Sequence, residues 1–152
     1  QCFQFCTNLK SVTIPSSVES IGDAAFYRCE KLSAVTLPDA LTEIADLTFD
    51  HCTALKSIVI PDGVTRIGES AFNCCSVLKT VDIPASVEKI CDSAFNACQK
   101  LETVYYGGTV SDWNKIEIER YNKRLTSAEL VIADTETSAP APSEKPVGGK
   151  LK

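Results

Sequence analysis

The sequence predicts an α/β repeat solenoid, and three observations carry that reading. Phe3, Phe26, Phe49, Phe72 and Phe95 stand 23 residues apart, as do Cys6, Cys29, Cys52, Cys75 and Cys98 and then Leu9, Leu32, Leu55, Leu78 and Leu101. Pro15, Pro38, Pro61 and Pro84 keep the same step. Each interval also repeats the same ordered set of apolar slots, which one copy could not bury by itself. A period of this length means coils stacked on one another, each burying its apolar slots against its neighbours. The expected form is a stack with a parallel sheet on one face, short helical turns opposite, and a small C-terminal cap.

The elements come in order within one copy. Leu55, Ile58 and Ile60 end in alternation, the mark of a short strand half-buried against a core. Pro61 lacks a ladder donor and stops that strand. A second extended piece carries Val64 and Ile67. Gly68 is expected to allow a turn, and Glu69-Ser70-Ala71-Phe72 reads as one helical turn leading back to the next strand. Copies should stack at about the inter-strand spacing of ~4.8 Å.

Ile60-Pro61, Val64, Ile67-Gly68, Ala71-Phe72, Cys75 and Leu78, with their counterparts in the other copies, resemble the 23-residue leucine-rich repeats of BspA-like bacterial and protozoan surface proteins. The resemblance covers Cys2 to Val104. The segment from Tyr105-Tyr106-Gly107-Gly108-Thr109 through Trp113 and Ile116 is similar to the non-repeat ending of that family. The resemblance implies a right-handed leucine-rich repeat stack, secreted or cell-surface, attached to host or extracellular partners. It implies no catalytic residues and no cofactor.

Three regions are expected: a solenoid over 1–104, a cap over 105–134, and a linker or disordered tail over 135–152. The solenoid comprises a partial first copy, four full copies and the start of a fifth. In the cap, Thr109 and Asp112 form a capping-box pattern. Val110, Trp113, Ile116 and Ile118 lay an apolar stripe on the last copy. Ala128 to Ile132 reads as a closing strand. Trp113 could plug the core or serve as a sugar-stacking platform; the stripe favours the plug. The tail is rich in Thr, Ser, Ala, Pro, Glu and Gly, with no core to bury. It points to a further module, and the opening in mid-repeat at Gln1 points to missing copies. An uncapped first copy offers an open edge for self-association.

Composition excludes some functions. The net charge of -5 and pI near 4.9 speak against non-specific binding to nucleic acid or anionic membranes, which need a basic face. No apolar stretch approaches the ~18 residues of a membrane span.

Eight cysteines invite a disulfide reading. Five occupy one column, however, and their side chains point the same way into the core. A reduced, buried ladder is expected, with cysteine acting as a small hydrophobe. Cys2 and Cys91 fill Ala and Gly slots as packing variants. Cys74 belongs to an outward column with Phe5, Arg28, His51 and Ala97, so His51 and Cys74 should be neighbours. Such a pair can be nucleophilic, but no orienting acid is evident beside it. One histidine also leaves too few ligands for a zinc site. The acidic column Asp23, Asp46, Glu69, Asp92 is assigned to helix starts, where carboxylates accept free N–H groups. Calcium bridging is the alternative, without the dense oxygen-ligand loop of a strong site.

Partner binding is assigned to outward slots of the strand face: Thr13, Thr36, Val59, Asp82 and Tyr105. Beside them run Ser11, Ala34, Ser57, Thr80 and Thr103, with Lys10, Lys56 and Lys79 along one margin. Tyr105 is the aromatic anchor of a kind that hot spots favour. The expected function is a non-catalytic adhesion or protein-interaction module with a protein or glycan partner. The alternatives are an accessory, possibly glycan-binding, module of an extracellular enzyme, or a structural spacer.

Overall fold

A computed structural model describes residues 2–133. The tail assigned to 135–152 lies outside the described residues. The chain winds into coils whose first strands are β1 (Ser11–Thr13), β2 (Ala34–Thr36), β4 (Ser57–Val59), β6 (Thr80–Ile83) and β8 (Thr103–Tyr106). The second strands are β3 (Glu43–Ile44), β5 (Arg66–Ile67), β7 (Lys89–Ile90) and β9 (Glu117–Ile118). The cap adds α1 (Val110–Trp113), α2 (Lys123–Ser127) and β10 (Glu129–Ile132).

All pairings are parallel, and within the repeats they join slots 23 residues apart, with the cap strands β9 and β10 pairing at offsets of 28 and 26. On the first face Ile58 stands opposite Val81, Val81 opposite Val104, and Leu130 of β10 opposite Val104 on its other side. The order there is β10-β8-β6-β4, while β1 and β2 form a separate two-stranded ladder. On the second face Ile44, Ile67, Ile90 and Ile118 align in the order β3-β5-β7-β9. Repeat geometry thus continues past Val104, with the cap helix inserted between β8 and β9.

The core lies between these faces. Phe3, Phe26, Phe49, Phe72 and Phe95 form a continuous stack, with centroids 5.3, 5.4, 5.4 and 5.2 Å apart and near-parallel rings. The central rings are fully buried. Leu55, Ile58, Ile60, Val64 and Ile67 close around the same coil as Phe72.

The connection opposite the strands differs from the expected helical turn. It is a run of β-turns in which two residues per coil have positive φ, such as Ser70 (53°) and Cys74 (58°), or Leu47 and His51 (both 60°). Left-handed residues cannot continue a right-handed helix. The reason lies between coils. Ala71, Asn73 and Cys75 donate their N–H groups back to Gly68, Ser70 and Phe72 at 3.2–3.3 Å. The alternating Ser70, Phe72 and Cys74 donate instead to Asp92, Ala94 and Asn96 of the next coil at 2.8–3.0 Å. A helix would keep every N–H inside its own turn; this ridge gives alternate ones to the stack.

Gly68 also has a different reason from the expected turn. Its φ is not positive. A Cβ there would lie 2.5 Å from Asp46 Oδ1 and 2.7 Å from Asp46 N, so glycine allows close approach of the preceding coil.

The acidic column is not a set of helix starts. Asp46 Oδ1 accepts the Glu69 N–H of the next coil at 2.8 Å and a bond from Arg66 Nη2 at 2.7 Å. Asp92 likewise accepts from Arg120 N and Nη2, both at 2.9 Å. Asp46 and Asp92 do receive backbone N–H groups, but across coils, and an arginine offsets the charge of each.

The cysteine column is a ladder of free thiols. Cys29, Cys52, Cys75 and Cys98 are buried, and each Sγ donates to the carbonyl of the preceding coil's Phe3, Phe26, Phe49 or Phe72 at 3.1–3.3 Å. The slot therefore holds a small apolar group that also carries a weak donor. Burial pushes these thiols up, Cys98 to about 12.

In the cap, Thr109 Oγ1 accepts from Asp112 N at 3.1 Å and Asp112 Oδ2 accepts from Thr109 N at 3.3 Å, a complete capping box. Trp113 packs edge-on against Tyr106 at 5.2 Å and joins the core, in the plug role. Ile116 is buried, but Val110 is 38% exposed and Ile118 lies in β9, so the stripe is shorter than the sequence spacing implies.

Three outcomes are expected. Phe72→Ala leaves a cavity in the ring stack and costs ~3–5 kcal/mol, read by denaturant unfolding against a neutral Lys56→Ala control; equal shifts in the two would refute the stack's role. Alkylation of native protein, mapped by mass spectrometry, modifies Cys2 but spares Cys52, Cys75 and Cys98 until denaturant is added; rapid native labelling of Cys75 would contradict the buried ladder. The third concerns acid. Hydrogen bonds from Thr109 and Lys115 hold the Asp112 carboxyl down at about 2, against an ordinary 3.8. A depressed folded value means its contribution is present above about 3.8 and fades as pH falls towards 2. Melting curves of wild type and Asp112→Asn should therefore converge over that window, and a constant gap would argue against the assignment.

Candidate functional site

Two surfaces carry chemistry. The first is the outer side of the strand face. Thr13 and Thr36 pair on β1 and β2, and Val59, Asp82 and Tyr105 align across β4, β6 and β8. Period-two alternation sends them outward because Ile58, Val81 and Val104 point into the core.

Val59, Asp82 and Tyr105 floor a groove of about 620 Å³ at the C-terminal end of this face. Thr13 and Thr36, on the separate ladder, do not line it. Val59 is 63% and Tyr105 45% exposed, large apolar surface to leave in water. Asp62, Thr103 and Glu129 are among the other lining residues, with Pro84, Val131 and Ile132 adding apolar wall. Burial raises the Asp82 carboxyl above its ordinary value. Sequence reasoning found the column but missed Asp62 and Glu129, because neither shares its slot: Asp62 comes just after the strand-ending Pro61, and β10 pairs with β8 at an offset of 26 rather than 23. The groove combines apolar surface from Val59 and Tyr105 with the carboxylates of Asp62, Asp82 and Glu129.

The second surface is the turn ridge. His51 and Cys74 occupy the same slot of successive coils, as the period implies. An acid does stand beside them, contrary to the sequence expectation. Asp50 Oδ1 lies 2.7 Å from His51 Nδ1 and accepts from Asn73 Nδ2 at 3.0 Å. Ligand-type atoms of Asp50, His51 and Cys74 all fall within 4.8 Å of one another. Asp50 is missed in the sequence because its column (Gln4, Tyr27, Asp50, Asn73, Asn96) holds no residue type common to all copies. Its side chains nevertheless bond along the stack, Asn96 to Asn73 at 3.2 Å and Asn73 to Asp50.

The electrostatics do not favour a nucleophile. Burial first, then the Asp50 charge, raises the Cys74 thiol above its ordinary value, with Arg28 acting weakly the other way. A thiol raised in this manner is protonated at neutral pH, and the thiolate is the reactive form. Burial also raises the Asp50 carboxyl, opposed by His51 and Asn73.

Comparison with known proteins agrees with this architecture. Residues 1–120 match the model of the BspA type leucine rich repeat region, in 6 copies. A leucine rich cell surface protein of Faecalibacterium prausnitzii is 43% identical with a TM-score of 0.74, over 76% of this chain and 30% of that one. A leucine rich repeat protein of T. pallidum is 41% identical with a TM-score of 0.66, over 68% of this chain and 48% of that one. One from Bacteroides ovatus is 34% identical with a TM-score of 0.51, over 68% and 33%. The chain thus spans less than half the length of each of these structures. No curated protein matches it. Among the described residues no helix is long and apolar enough to cross a membrane. With the six-copy match and the stacked parallel coils together, the chain belongs to the BspA-type leucine-rich repeat family.

Proposed function

We propose that this chain is a non-catalytic recognition module, secreted or displayed at a cell surface, that binds an extracellular protein partner through the groove of Val59, Asp82 and Tyr105. The observation that carries this reading is an exposed tyrosine and an exposed valine in one outward column of a parallel sheet, on either side of Asp82. A sheet side chain is held by its neighbours on both sides, so presenting Tyr105 costs little conformational entropy on binding. Asp62, Asp82 and Glu129 line the same groove, which suits a partner segment with an apolar side chain flanked by lysine or arginine. The surface setting is supported by the likeness to a protein described as a leucine rich cell surface protein.

Binding to panels of immobilised extracellular-matrix proteins, with a glycan array in parallel, tests this. Tyr105→Ala is expected to weaken capture of the protein partner at least tenfold, about 1.4 kcal/mol or more, as for an anchor residue. Asp82→Lys should lower the association rate and flatten its salt dependence. Thr13→Ala, on the separate ladder, should change nothing. Full binding by Tyr105→Ala, or capture on glycans alone, would overturn the reading.

A further inference from the structure

We propose that Asp50, His51 and Cys74 form a binding site for a thiophilic divalent cation, Zn2+ foremost, on the turn ridge. The donors are an imidazole nitrogen, a thiol sulfur and a carboxylate oxygen, a set that suits zinc and its neighbours rather than calcium or magnesium, which take oxygen ligands. Their ligand atoms lie within 4.8 Å of one another. Around a tetrahedral zinc, with bonds of about 2.0–2.3 Å, such atoms would stand roughly 3.4–3.6 Å apart. Reaching that geometry asks for side-chain rotation within the cluster, including release of the 2.7 Å contact between His51 Nδ1 and Asp50 Oδ1 or use of the other atom of each group.

The backbone under the site is already fixed. His51 and Cys74 both have left-handed φ, 60° and 58°. Each N–H is held by the next coil, His51 by Asn73 O and Cys74 by Asn96 O, both at 2.9 Å. Stacking therefore aims two ligands from adjacent coils to the same side of the ridge. Asp50 is 4% exposed, and the bonds from His51 and Asn73 both fall on Oδ1, leaving Oδ2 outside them. Tyr27 braces the imidazole edge-on at 6.0 Å. His51 and Cys74 are partly exposed, so an ion and a completing water can reach them.

The other charge felt at the site is the cationic Arg28. Arg28 is the counterpart of His51 in the preceding coil, and its guanidinium lies over the Tyr27 ring at 5.7 Å with Nε donating to the Tyr27 hydroxyl at 3.2 Å. Binding would displace the thiol proton to solvent as sulfur coordinates, so affinity should fall as pH falls. No other copy can build this set: the slots of His51 and Cys74 hold Phe5, Arg28 and Ala97 elsewhere.

The test uses the whole chain under reducing conditions. Competition with a chromophoric chelator should show one equivalent of Zn2+ bound, and Co2+ should give a sulfur-to-cobalt charge-transfer band with visible d–d bands. Both signals should vanish in Cys74→Ser and in His51→Gln, and persist in Cys2→Ser; circular dichroism shows whether each variant is folded. Asp50→Asn should weaken binding at least about tenfold, since loss of even an outer carboxylate partner of a metal ligand costs that much. Absence of a cobalt–thiolate band in the wild type, its survival in Cys74→Ser, or unchanged affinity in Asp50→Asn would each overturn the assignment.

Discussion

Alternate backbone N–H groups on the turn ridge leave their own coil and bond to the next one, and the rest of the structure depends on that. The bond from Phe72 N to Ala94 O, at 2.8 Å, sets the register in which Phe72 meets Phe95. The same register puts Cys98 Sγ on Phe72 O and aligns Ile67 with Ile90. A buried N–H without a partner is costly. A slip between coils would strand these donors and unstack the rings together. Backbone and core therefore specify one arrangement rather than two compatible ones.

The left-handed residues are the cost of this scheme. Ser70, Cys74, Leu47 and His51 each adopt a conformation that disfavours an L-residue by roughly 1–2 kcal/mol. Bonds to the neighbouring coil offset that cost, and they exist only when coils are stacked. This is the quasi-one-dimensional behaviour of repeat proteins, in which stability lies largely in the interfaces between copies. It also explains why the ridge tolerates varied side chains. Arg28, His51, Cys74 and Ala97 share one backbone position because the backbone, not the side chain, makes the contact between coils.

That tolerance is where chemistry can enter. On the strand face, Val59, Asp82 and Tyr105 are free to differ because their inward neighbours carry the packing. On the ridge, Asp50, His51 and Cys74 differ from their counterparts for the same reason. At the C-terminal end, Trp113 against Tyr106 and the pairing of β10 with β8 close the core and supply the wall of the groove.

Period and slot chemistry by themselves determined the stack, the parallel sheet, the buried phenylalanine and cysteine columns, the outward strand column and the closing strand. All but the closing strand arise from slots that recur every 23 positions, because burial must be satisfied identically in every copy, and the closing strand arises from the apolar run ending at Ile132. The tertiary structure alone decided the rest. It replaced the helical turn by β-turns, since a helix and an inter-coil ladder compete for the same N–H groups and only stacked coils reveal the winner. It gave Gly68 a steric reason in Asp46, which lies 22 residues away in sequence and touches it only once the coils are stacked. It also brought Asp50 to His51 and Asp62 and Glu129 to the groove. A period exposes what repeats, whereas these contacts arise from residues that each occur once.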